Sequence, residues 1–408
     1  MKRKLVIVIL AAGQGVRMKS ELPKVLHSVC GKPLINWSLD LAKSLRPNKI
    51  IVVLGHKSEA VKKALDKGIN VVLQNKPLGT ADAIKKVLPR VDKSADLLVL
   101  YADIPLLETK TLKNLLKCHR DSDSQATILT VRLDNPFGYG RIIRDNFSRI
   151  KEIIEEKDAT SLEREIKEIN TGIFCFKVNS LAKFISKIKA DNAKKEFYLT
   201  DIIKLFYENS LKTESLEAEN PNEILGINSQ KDLVNACNLM RFKIMDRFIE
   251  EGVRIIDPQT TYIDEGASIL GSTVIYPFTI IEKDVKIGKY CQIGPFCHLR
   301  SGTKIEDNVI FGNFVEAVRT NIGAGTLMKH FGYLGDTSIG KNVNLGAGMV
   351  VANFDGKNKN KTVIGDNAFV GSDAVLVAPV KIGKASVIGA GAVVTKNVNP
   401  KTTVVGIP

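Results

Sequence analysis

The last part of the sequence carries aliphatic residues at a regular spacing of six. The register is unbroken over residues 263–311, and it returns over residues 339–351 and 364–394, often followed by glycine or a small polar residue. This hexapeptide repeat is typical of a parallel β-helix solenoid, in which the aliphatic side chains stack inside and glycine permits tight corners. The pattern therefore predicts an all-β solenoid for this part of the chain.

Two interruptions divide the repeat, at residues 320–337 and 355–361. The resemblance to left-handed β-helix proteins implies that three hexads form one triangular coil. We therefore predict that both interruptions are loops that leave an otherwise regular surface, where functional residues tend to lie. In the alternative interpretation, the solenoid serves only to assemble the other half of the chain into an oligomer.

The first half of the sequence alternates short apolar runs with amphipathic helical patterns. Strands are predicted at 5–10, 50–54, 71–74 and 97–101, and helices at 34–45, 58–65 and 81–88. This alternation predicts an α/β Rossmann-like domain, with βαβ units, a mainly parallel sheet and helices on both faces. Such a domain binds its ligand at the carboxyl ends of the strands.

A single amphipathic helix is predicted from Ser229 to about Glu251, because apolar residues there recur every three or four positions. It lies between the two dissimilar halves. We therefore predict an α/β domain over 1–228, a connector helix over 229–252 and a β-helix over 253–408.

The chain of 408 residues has 59 basic and 44 acidic side chains, a net charge of +15. This balance favours nucleic acid, an acidic membrane surface or phosphorylated small molecules as partners. No basic run with interleaved aromatic residues supports nucleic-acid binding, although excess surface lysine alone also explains the charge. Phosphorylated small-molecule substrates are the expected partners.

The location of the protein is predicted from its cysteines and apolar runs. Six cysteines without a CxxC pair indicate neither a disulfide framework nor a zinc ribbon, and they favour a reducing cytoplasm. Residues 1–12 imitate a signal peptide, but the apolar run is short and a glycine-rich turn follows it. No run approaches the ~20 apolar residues of a membrane-spanning helix, so we expect no membrane insertion.

A glycine-rich turn, LAAGQGVRM at residues 10–18, directly follows the first predicted strand. Its glycines can aim backbone N–H groups at a phosphate or a base. Lys24, a few residues later, adds a cation. The spacing alone is a weak signal, because many α/β folds turn in this way for packing.

The pairing of LAAGxGxRM with LPKxL at residues 22–26 resembles the sugar-1-phosphate nucleotidylyltransferase family. Further matching motifs lie at 73–74, 78–81, 101–106, 138–142, 155–158, 170–172, 198–201 and 226–228. Those that match an acetyltransferase half lie at 312–316, 330–336, 344–348, 353–356 and 369–373. Together they resemble bifunctional enzymes that acetylate glucosamine-1-phosphate and then uridylylate the product to UDP-N-acetylglucosamine.

The resemblance implies one site for UTP and UDP-N-acetylglucosamine in the first half. Arg17 and Lys24 would neutralise the triphosphate and the leaving pyrophosphate, and Asp103 and Asn228 would hold Mg²⁺. Asp103, directly after an apolar strand, suits Mg²⁺ on chemical grounds as well. The implied binding residues are Leu10, Ala11, Ala12, Gly13, Lys24, Gln74, Gly79, Thr80, Tyr101, Ala102, Asp103, Gly140, Glu155, Asn170 and Asn228.

The resemblance implies a second site in the solenoid, with acetyl-CoA as co-substrate and His330 as general base. A histidine suits this task because it titrates near neutral pH. The implied contacts to glucosamine-1-phosphate are Arg300, Tyr333, Asn344 and Lys359. The implied contacts to acetyl-CoA are Ala347, Asn353, Phe354, Ser372 and Ala390.

Three positions depart from the family pattern. Phe354 stands where tyrosine is usual, and Ile407 stands where an arginine for CoA is expected. Val318 replaces a lysine that grips the sugar phosphate, which weakens the acceptor site by about 1.5–3 kcal/mol unless another group compensates. Arg319 is adjacent, but neighbouring residues on a strand point to opposite faces.

Three functional hypotheses follow. The first is the bifunctional enzyme, and the second is a uridylyltransferase whose solenoid serves only for trimer formation. The third is a regulatory subunit, since nucleotide-exchange subunits of translation initiation factors resemble the same domain pairing. That hypothesis predicts eroded catalytic positions, whereas Arg17, Lys24, Asp103 and Asn228 are all present. The resemblance also implies a homotrimer.

Overall fold

The computed structural model describes residues 3–406, which form two compact units divided between Cys237 and Asn238. The strands of the first unit are β1 (Leu5–Ala11), β2 (Ser28–Val29), β3 (Lys32–Pro33), β4 (Lys49–Leu54), β5 (Asn70–Leu73), β6 (Asp96–Tyr101), β7 (Ala126–Arg132), β8 (Gly140–Arg144), β9 (Ile150–Ile154), β10 (Glu168–Lys177) and β11 (Thr213–Glu217).

Helices follow or separate most of these strands. The α-helices are α1 (Leu34–Ser44), α2 (Ser58–Lys62), α3 (Thr80–Val87), α4 (Thr109–Asp121), α5 (Ser161–Arg164), α6 (Val178–Phe184), α7 (Asp201–Glu208) and α8 (Gln230–Glu250). Short 3-10 helices span Val16–Met18, Lys24–Leu26, Leu88–Arg90, Ile185–Lys187 and Pro221–Ile224. The helix predicted between the two halves is α8, and the boundary between the compact units falls within it.

The central sheet of the first unit has the order β11-β7-β10-β6-β1-β4-β5, and β8 and β9 extend it from β10. Strand β1 is fully buried and parallel to both β4 and β6, as its uninterrupted apolar sequence requires. Alternate residues of β1 enter two separate hydrophobic cores, one on each face, with α3 and α7 covering one face and α1 and α4 the other. The predicted strands and helices of this unit are confirmed.

The sheet has a topological switch point between β1 and β6. The chain runs outward from β1 through β4 to β5, and then returns to form β6 on the other side of β1. The connections from β1 and β6 therefore diverge at the carboxyl ends of these strands and leave a crevice. Open α/β sheets bind their ligands at such a point.

The second unit is a parallel β-helix, consistent with the left-handed type, built from three sheets of nine, eight and seven strands. Each strand pairs with the strand one coil later, as Ile263 does with Ile281 and Ile275 with Ile293. The strands are β12 (Arg254–Ile255), β13 (Tyr262–Ile263), β14 (Ser268–Ile269), β15 (Val274–Ile275), β16 (Ile280–Ile281), β17 (Lys286–Ile287), β18 (Gln292–Ile293), β19 (His298–Leu299), β20 (Lys304–Ile305), β21 (Ile310–Phe311), β22 (Val315–Val318), β23 (Asn321–Ile322), β24 (Leu327–Met328), β25 (Gly332–Gly335), β26 (Thr337–Ile339), β27 (Asn344–Leu345), β28 (Val350–Ala352), β29 (Thr362–Ile364), β30 (Phe369–Val370), β31 (Val375–Val377), β32 (Val380–Ile382), β33 (Val387–Ile388), β34 (Val393–Val394) and β35 (Thr403–Val404).

The first interruption of the repeat is not an ejected loop, so that prediction is wrong. Strands β22 to β26 continue the three sheets through it. The register is hidden in the sequence because two steps between buried residues have five positions instead of six, and because small or unbranched side chains fill interior places. The buried series is Ala317, Ile322, Met328, Leu334 and Ile339.

The second interruption is a loop, as predicted. It leaves the solenoid between β28 and β29 and is closed by an antiparallel bridge between Phe354 and Lys359. None of the helices within residues 3–406 is both long and apolar enough to cross a membrane.

Candidate functional sites

Lys24 brings together two oxygen atoms that are far apart in the sequence. Its ammonium group donates to Asp103 Oδ2 and, at 2.9 Å, to Asn228 Oδ1. Asp103 follows β6 directly, and the Ile227 amide donates to the Asp103 carbonyl at 2.9 Å, which holds the segment before α8 beside the end of β6. All three side chains therefore meet at the carboxyl edge of the sheet.

The glycine-rich turn closes over this group. Gly15 adopts a φ of 66°, and a Cβ there would lie 2.7 Å from Lys24 Cβ, so glycine allows the turn to approach Lys24 closely. The turn, Lys24 and Asp103 line one cleft of ≈420 Å³. The predicted residues lining it are Leu10, Ala11, Ala12, Gly13, Lys24, Gln74, Gly79, Thr80, Tyr101 and Asp103.

Gln74, Gly79 and Thr80 form the wall of the cleft at the start of α3. The Gln74 side-chain amide donates to the Gly79 carbonyl and to Asp82 Oδ2, both at 2.9 Å. Gly79 has a φ of 110°, and a Cβ there would lie 2.4 Å from the Phe197 carbonyl oxygen. This wall is therefore rigid before any ligand binds.

The residues implied to contact the sugar lie together on neighbouring strands. Gly140 pairs with Asn170, and a Cβ on Gly140 would come within 3.5 Å of Glu155 Oε2. Burial, together with the nearby carboxylates of Glu155 and Asp103, raises the pKa of Tyr101. Tyr101 therefore lies within electrostatic reach of both Glu155 and Asp103, and it lines the cleft together with Asp103.

Not every predicted residue lies in the cleft. Arg17 is exposed on its 3-10 helix and forms no hydrogen bond or ion pair within the part of the chain that the structure describes. Ala102 is buried and does not line the cleft. Glu155 lines a neighbouring cavity of ≈410 Å³ together with Tyr198 and Asp201.

The oxygens of Asp103 and Asn228 fit the needs of Mg²⁺. Both accept hydrogen bonds from one cationic centre, so their oxygens already converge on a positive charge. Mg²⁺ commonly takes one or two protein oxygens and completes its shell with phosphates and water. No cluster of three or more His, Cys, Asp or Glu side chains suited to a metal ion occurs within residues 3–406.

Two residues near the cleft were missed from the sequence. Glu196 lines the cleft, and Thr200 Oγ1 donates to Glu155 Oε1 at 3.1 Å. The YLTD motif at residues 198–201 was the available signal, because it matches the family but had no role assigned to it.

In the second unit, His330 lies at a corner of the β-helix between β24 and β25. Successive coils meet at this corner through backbone hydrogen bonds from Gly348 to Phe331 (2.8 Å), from Asp373 to Ala347 (2.7 Å) and from Gly391 to Ser372 (2.8 Å). His330 therefore begins a column along the coils, which we call the corner column. Its members are His330, Ala347, Ser372 and Ala390.

His330 itself is exposed and forms no hydrogen bond or ion pair with any of residues 3–406. The prediction that His330 lies in an ejected loop is wrong. The residue lies instead in a tight corner between strands β24 and β25. A corner fixed by the coils above and below holds a side chain more rigidly than a long loop would. The imidazole is free to meet a ligand.

A second cluster on the β-helix surrounds Tyr333, and we call it the acceptor cluster. Tyr333 pairs in register with Glu316, which accepts a hydrogen bond from Arg300 at 2.9 Å. Arg319 binds Asp336 through two hydrogen bonds of 2.6 and 2.8 Å. The hydrogen bond to Glu316 is the main cause of the raised pKa of Arg300. The hydrogen bonds to Asp336 are the main cause of the raised pKa of Arg319. Tyr333 contributes to both shifts.

The remaining predicted contacts lie in different places. Asn353 is buried and donates to Asp336 Oδ2 at 2.6 Å, which places it in the acceptor cluster and not in the corner column. The pKa of Asp336 is lowered mainly by its hydrogen bonds with Arg319, and Lys359 makes a smaller contribution in the same direction. Asn344 lies in β27, on another sheet, and Phe354 is exposed on the loop.

Val318 is buried at the end of β22, so it presents no polar group where the family pattern has lysine. Arg319 leaves the strand with a φ of 49°. Its guanidinium reaches Asp336 on the surface. The alternation of side chains between the two faces of a strand therefore ends at Val318. It does not determine the direction of the Arg319 side chain. Ile407 lies outside the described residues.

Comparisons with known proteins agree with this architecture. A family model described as a MobA-like NTP transferase domain matches residues 7–169, and one described as bacterial transferase hexapeptide (six repeats) matches 284–316 and 361–396. The UDP-glucose pyrophosphorylase structure solved with UDP-glucose covers 59% of this chain and 100% of its own, with a TM-score of 0.50 and 16% identity, and it supports the fold alone.

Full-length relatives are also similar. The chain is 44% identical over 424 residues to the bifunctional protein GlmU of Thermosipho melanesiensis, across 96% of this chain and 92% of that protein. It is 40% identical over 430 residues to the bifunctional protein GlmU of Desulfitobacterium hafniense, across 97% of this chain and 94% of that protein.

Proposed function

The chain belongs to the family of bifunctional GlmU proteins, and from that premise we propose that it makes UDP-N-acetylglucosamine in two transfers. The first moves the acetyl group of acetyl-CoA to the amine of glucosamine-1-phosphate and releases CoA. In the second, a phosphate oxygen of the product attacks the α-phosphorus of UTP, and the bond to pyrophosphate breaks. The observation that carries the proposal is the meeting of Lys24, Asp103 and Asn228 at the switch point of the sheet.

The uridylyl transfer needs positioning and charge neutralisation more than covalent help from the protein. Lys24 supplies a positive charge inside the cleft, and Gln74, Gly79 and Thr80 form the rigid wall that would hold uracil. Asp103 and Asn228 would hold Mg²⁺, which, when bound, neutralises phosphate charge. Arg17 is exposed, so in this proposal it reaches the triphosphate only when the substrate is bound.

The acetyl transfer is assigned to the corner column. His330 accepts a proton from the amine of glucosamine-1-phosphate as the amine attacks the thioester carbonyl. Ala347, Ser372 and Ala390 continue along the same edge, so an extended thioester can lie over small side chains with its acyl end at His330. The sugar phosphate is assigned to Arg300, Tyr333, Asn344 and Lys359, with Arg319 supplying the charge that Val318 lacks.

The same proposal includes a trimer, supported by an exposed aromatic stack on the β-helix. Phe278, Phe296 and Phe314 stack with ring centroids 4.8 and 4.9 Å apart, and each remains about half exposed. A continuous apolar strip of this kind on a single chain indicates a surface that another protein covers. The proposal also includes a cytoplasmic location, which is supported by the cysteine pattern expected of a reducing compartment.

A paired assay tests both transfers on the purified full chain. CoA release is measured with acetyl-CoA and glucosamine-1-phosphate, and pyrophosphate release is measured with UTP, Mg²⁺ and N-acetylglucosamine-1-phosphate. We expect both products from the wild type. Pyrophosphate without CoA would reduce the β-helix to an assembly domain, and CoA without pyrophosphate would remove the assignment of the α/β unit.

Two variants assign the activities to their sites. Asp103→Asn is expected to lower pyrophosphate release at least ~100-fold while CoA release persists, since it removes the charge that faces Lys24. His330→Gln is expected to do the reverse. Asp66→Asn and His56→Gln change exposed residues of the same types and serve as controls. Loss of both activities in a folded Asp103→Asn protein would contradict the two-site model.

A further inference from the structure

Residues 197–200, which we call the bridging segment, connect the two ends of the uridylyl-transfer site. At the nucleotide end, the Phe197 amide donates to the Leu78 carbonyl at 2.8 Å, and the Ala81 amide donates to the Phe197 carbonyl at 2.9 Å. The Leu199 amide donates to Thr80 Oγ1 at 2.9 Å. Three hydrogen bonds therefore tie the segment to both sides of Gly79.

At the sugar end, the segment is tied to Glu155. Thr200 is buried, and its hydroxyl donates to Glu155 Oε1 at 3.1 Å. Threonine often caps a helix with its hydroxyl, yet Thr200 precedes α7 without doing so. Its backbone is already helical, with a φ of −60° and a ψ of −29°, so the hydroxyl is not placed to cap α7 and donates to Glu155 instead.

The segment has little freedom between these two ends. Leu199 is 1% exposed, Thr200 is 6% exposed, and α7 begins at the next residue and packs beside β9, which leads into Glu155. Close packing of this kind transmits a displacement without absorbing it. A shift of either end would therefore reach the other.

We propose that the bridging segment holds the nucleotide and sugar ends of the site at a fixed spacing, with Thr200 positioning the Glu155 carboxylate and Thr80 anchoring the segment. The proposal rests on the proposed function, in which Gly79 and Thr80 contact uracil and Glu155 contacts the sugar. In this proposal the YLTD motif positions other residues of the site and does not contact the substrate itself.

The charge state of Glu155 provides a sensitive readout. Burial raises its pKa, and the hydrogen bond from Thr200 opposes this shift. The other groups that act on or respond to Glu155 are Lys194, Asp158, Glu196, Asp201, Tyr101 and Tyr198. Without the Thr200 hydroxyl, Glu155 binds its proton up to a higher pH, and less of the enzyme carries the carboxylate at a given pH.

The first test is Thr200→Val, which removes the donor and keeps the shape. In pyrophosphate release, we expect the KM for N-acetylglucosamine-1-phosphate to rise roughly tenfold, since a hydrogen bond to a charged group is lost. The KM for UTP should stay within about twofold, because the Thr80 anchor is intact. The acid limb of the pH profile of kcat/KM for the sugar phosphate should move to higher pH. Thr200→Ser, which keeps the hydroxyl, should restore both the KM for the sugar phosphate and the position of the acid limb.

The second test is Thr80→Val, which removes the acceptor for the Leu199 amide at the nucleotide end. A bridging role predicts that this change also raises the KM for the sugar phosphate, by about threefold or more. Thr213→Val is the matched control, because its hydroxyl is buried without a hydrogen-bond partner within residues 3–406. Thermal unfolding of each variant shows whether the fold is kept, and Thr80→Val tests the segment even if Thr200→Val does not fold.

The outcomes separate this inference from the proposed function. Wild-type protein that releases no pyrophosphate overturns the proposed function and the bridging role with it. An active wild type whose Thr200→Val form keeps its sugar KM and its pH profile overturns the bridging role alone. A Thr80→Val protein in which only the KM for UTP changes would also overturn the bridging role and leave the proposed function intact.

Discussion

Arg319 is the residue on which the proposed phosphate site in the acceptor cluster depends. Val318 is buried and offers no charge, whereas Arg319 carries an exposed guanidinium that pairs with Asp336 near Tyr333. Asp336 holds that guanidinium in place with two hydrogen bonds, which reduces the entropy lost when a phosphate binds. In the proposed function, Arg319 therefore supplies the positive charge that Val318 lacks.

We expect Arg319→Gln to raise the KM for glucosamine-1-phosphate roughly tenfold or more in CoA release, because a charge-assisted phosphate contact is lost. Pyrophosphate release should not change. Arg247→Gln removes another arginine that pairs with a carboxylate in the same unit, and it serves as the control. An unchanged KM would show that Arg319 does not replace the lysine.

Asp96 is a fully buried carboxylate at the start of β6. Arg3 and Arg120 lie 2.9 and 3.0 Å from its oxygens, and His119 lies 3.7 Å away. Burial alone would raise its pKa, but His119 and the two arginines outweigh that effect and hold the pKa below its usual value. The charged form of Asp96 therefore stabilises the fold.

We expect Asp96→Asn to lower the free energy of unfolding by about 2–4 kcal/mol at pH 7, because it leaves partly buried cations without their partner. A lowered pKa means that the stabilisation is present above the unfolded value of about 4 and is lost as pH falls through the folded value. The difference between wild type and variant should therefore shrink in acid.

Urea unfolding at several pH values measures this difference. Asp92→Asn is the control, because Asp92 pairs with Lys4 at the surface and its loss should cost much less than the loss of Asp96. Equal losses for the two variants would contradict the role given to Asp96.

At the scale of the elements, the corners of the β-helix depend on glycine where two coils touch. A Cβ on Gly312 would lie 1.9 Å from the Lys329 carbonyl oxygen, next to His330. No side chain could move to relieve this contact, because the neighbouring atom belongs to the backbone. Gly312 therefore sets the coil spacing at the corner that presents His330, the proposed general base.

Gly312→Ala should lower the free energy of unfolding by about 3 kcal/mol or more, since overpacking forces the backbone to shift. It should also lower CoA release. Gly391→Ala is the matched control, because a Cβ there meets no atom within 4 Å and only its φ of 69° is unfavourable, at a cost of about 1–2 kcal/mol. Thermal unfolding followed by circular dichroism measures both, and similar melting temperatures would argue against the contact.

At the scale of the whole molecule, the proposed trimer is tested through the aromatic stack. Phe296→Glu places a charge in the middle of the stack formed with Phe278 and Phe314. We expect the mass in solution to fall from three chains to one and CoA release to fall with it, while pyrophosphate release persists. Light scattering after size-exclusion chromatography measures the mass.

Phe147→Glu is the control for this change, because Phe147 is highly exposed in the first unit. A trimer that persists in Phe296→Glu would show that another surface holds the chains together. A wild-type monomer that releases CoA would remove the trimer from the proposal.

The sequence alone determined the two architectures and most of their elements. Alternating apolar runs and helical patterns predicted β1, β4, β5 and β6 with α1 and α3, because each element buries its own apolar face. The six-residue period predicted the β-helix for the same reason. These patterns are local, so they can be read without knowing which distant residues meet.

The motifs also predicted most of the cleft, but only by resemblance, since spacing in the chain does not reveal proximity across it. The hidden coils around His330 escaped prediction because two five-residue steps broke the period while the sheets continued. A search for a fixed six-residue period does not detect a coil in which one step has five residues, even though the strands of that coil still pair with their neighbours.

Only the tertiary structure brought Asn228 to Lys24, placed Thr200 on Glu155 and turned Arg319 toward Asp336. Each of these contacts joins side chains whose positions depend on how whole strands and coils stack. Local propensity and periodicity carry no information on that stacking, because the free energy that fixes it comes from packing between elements far apart in the chain.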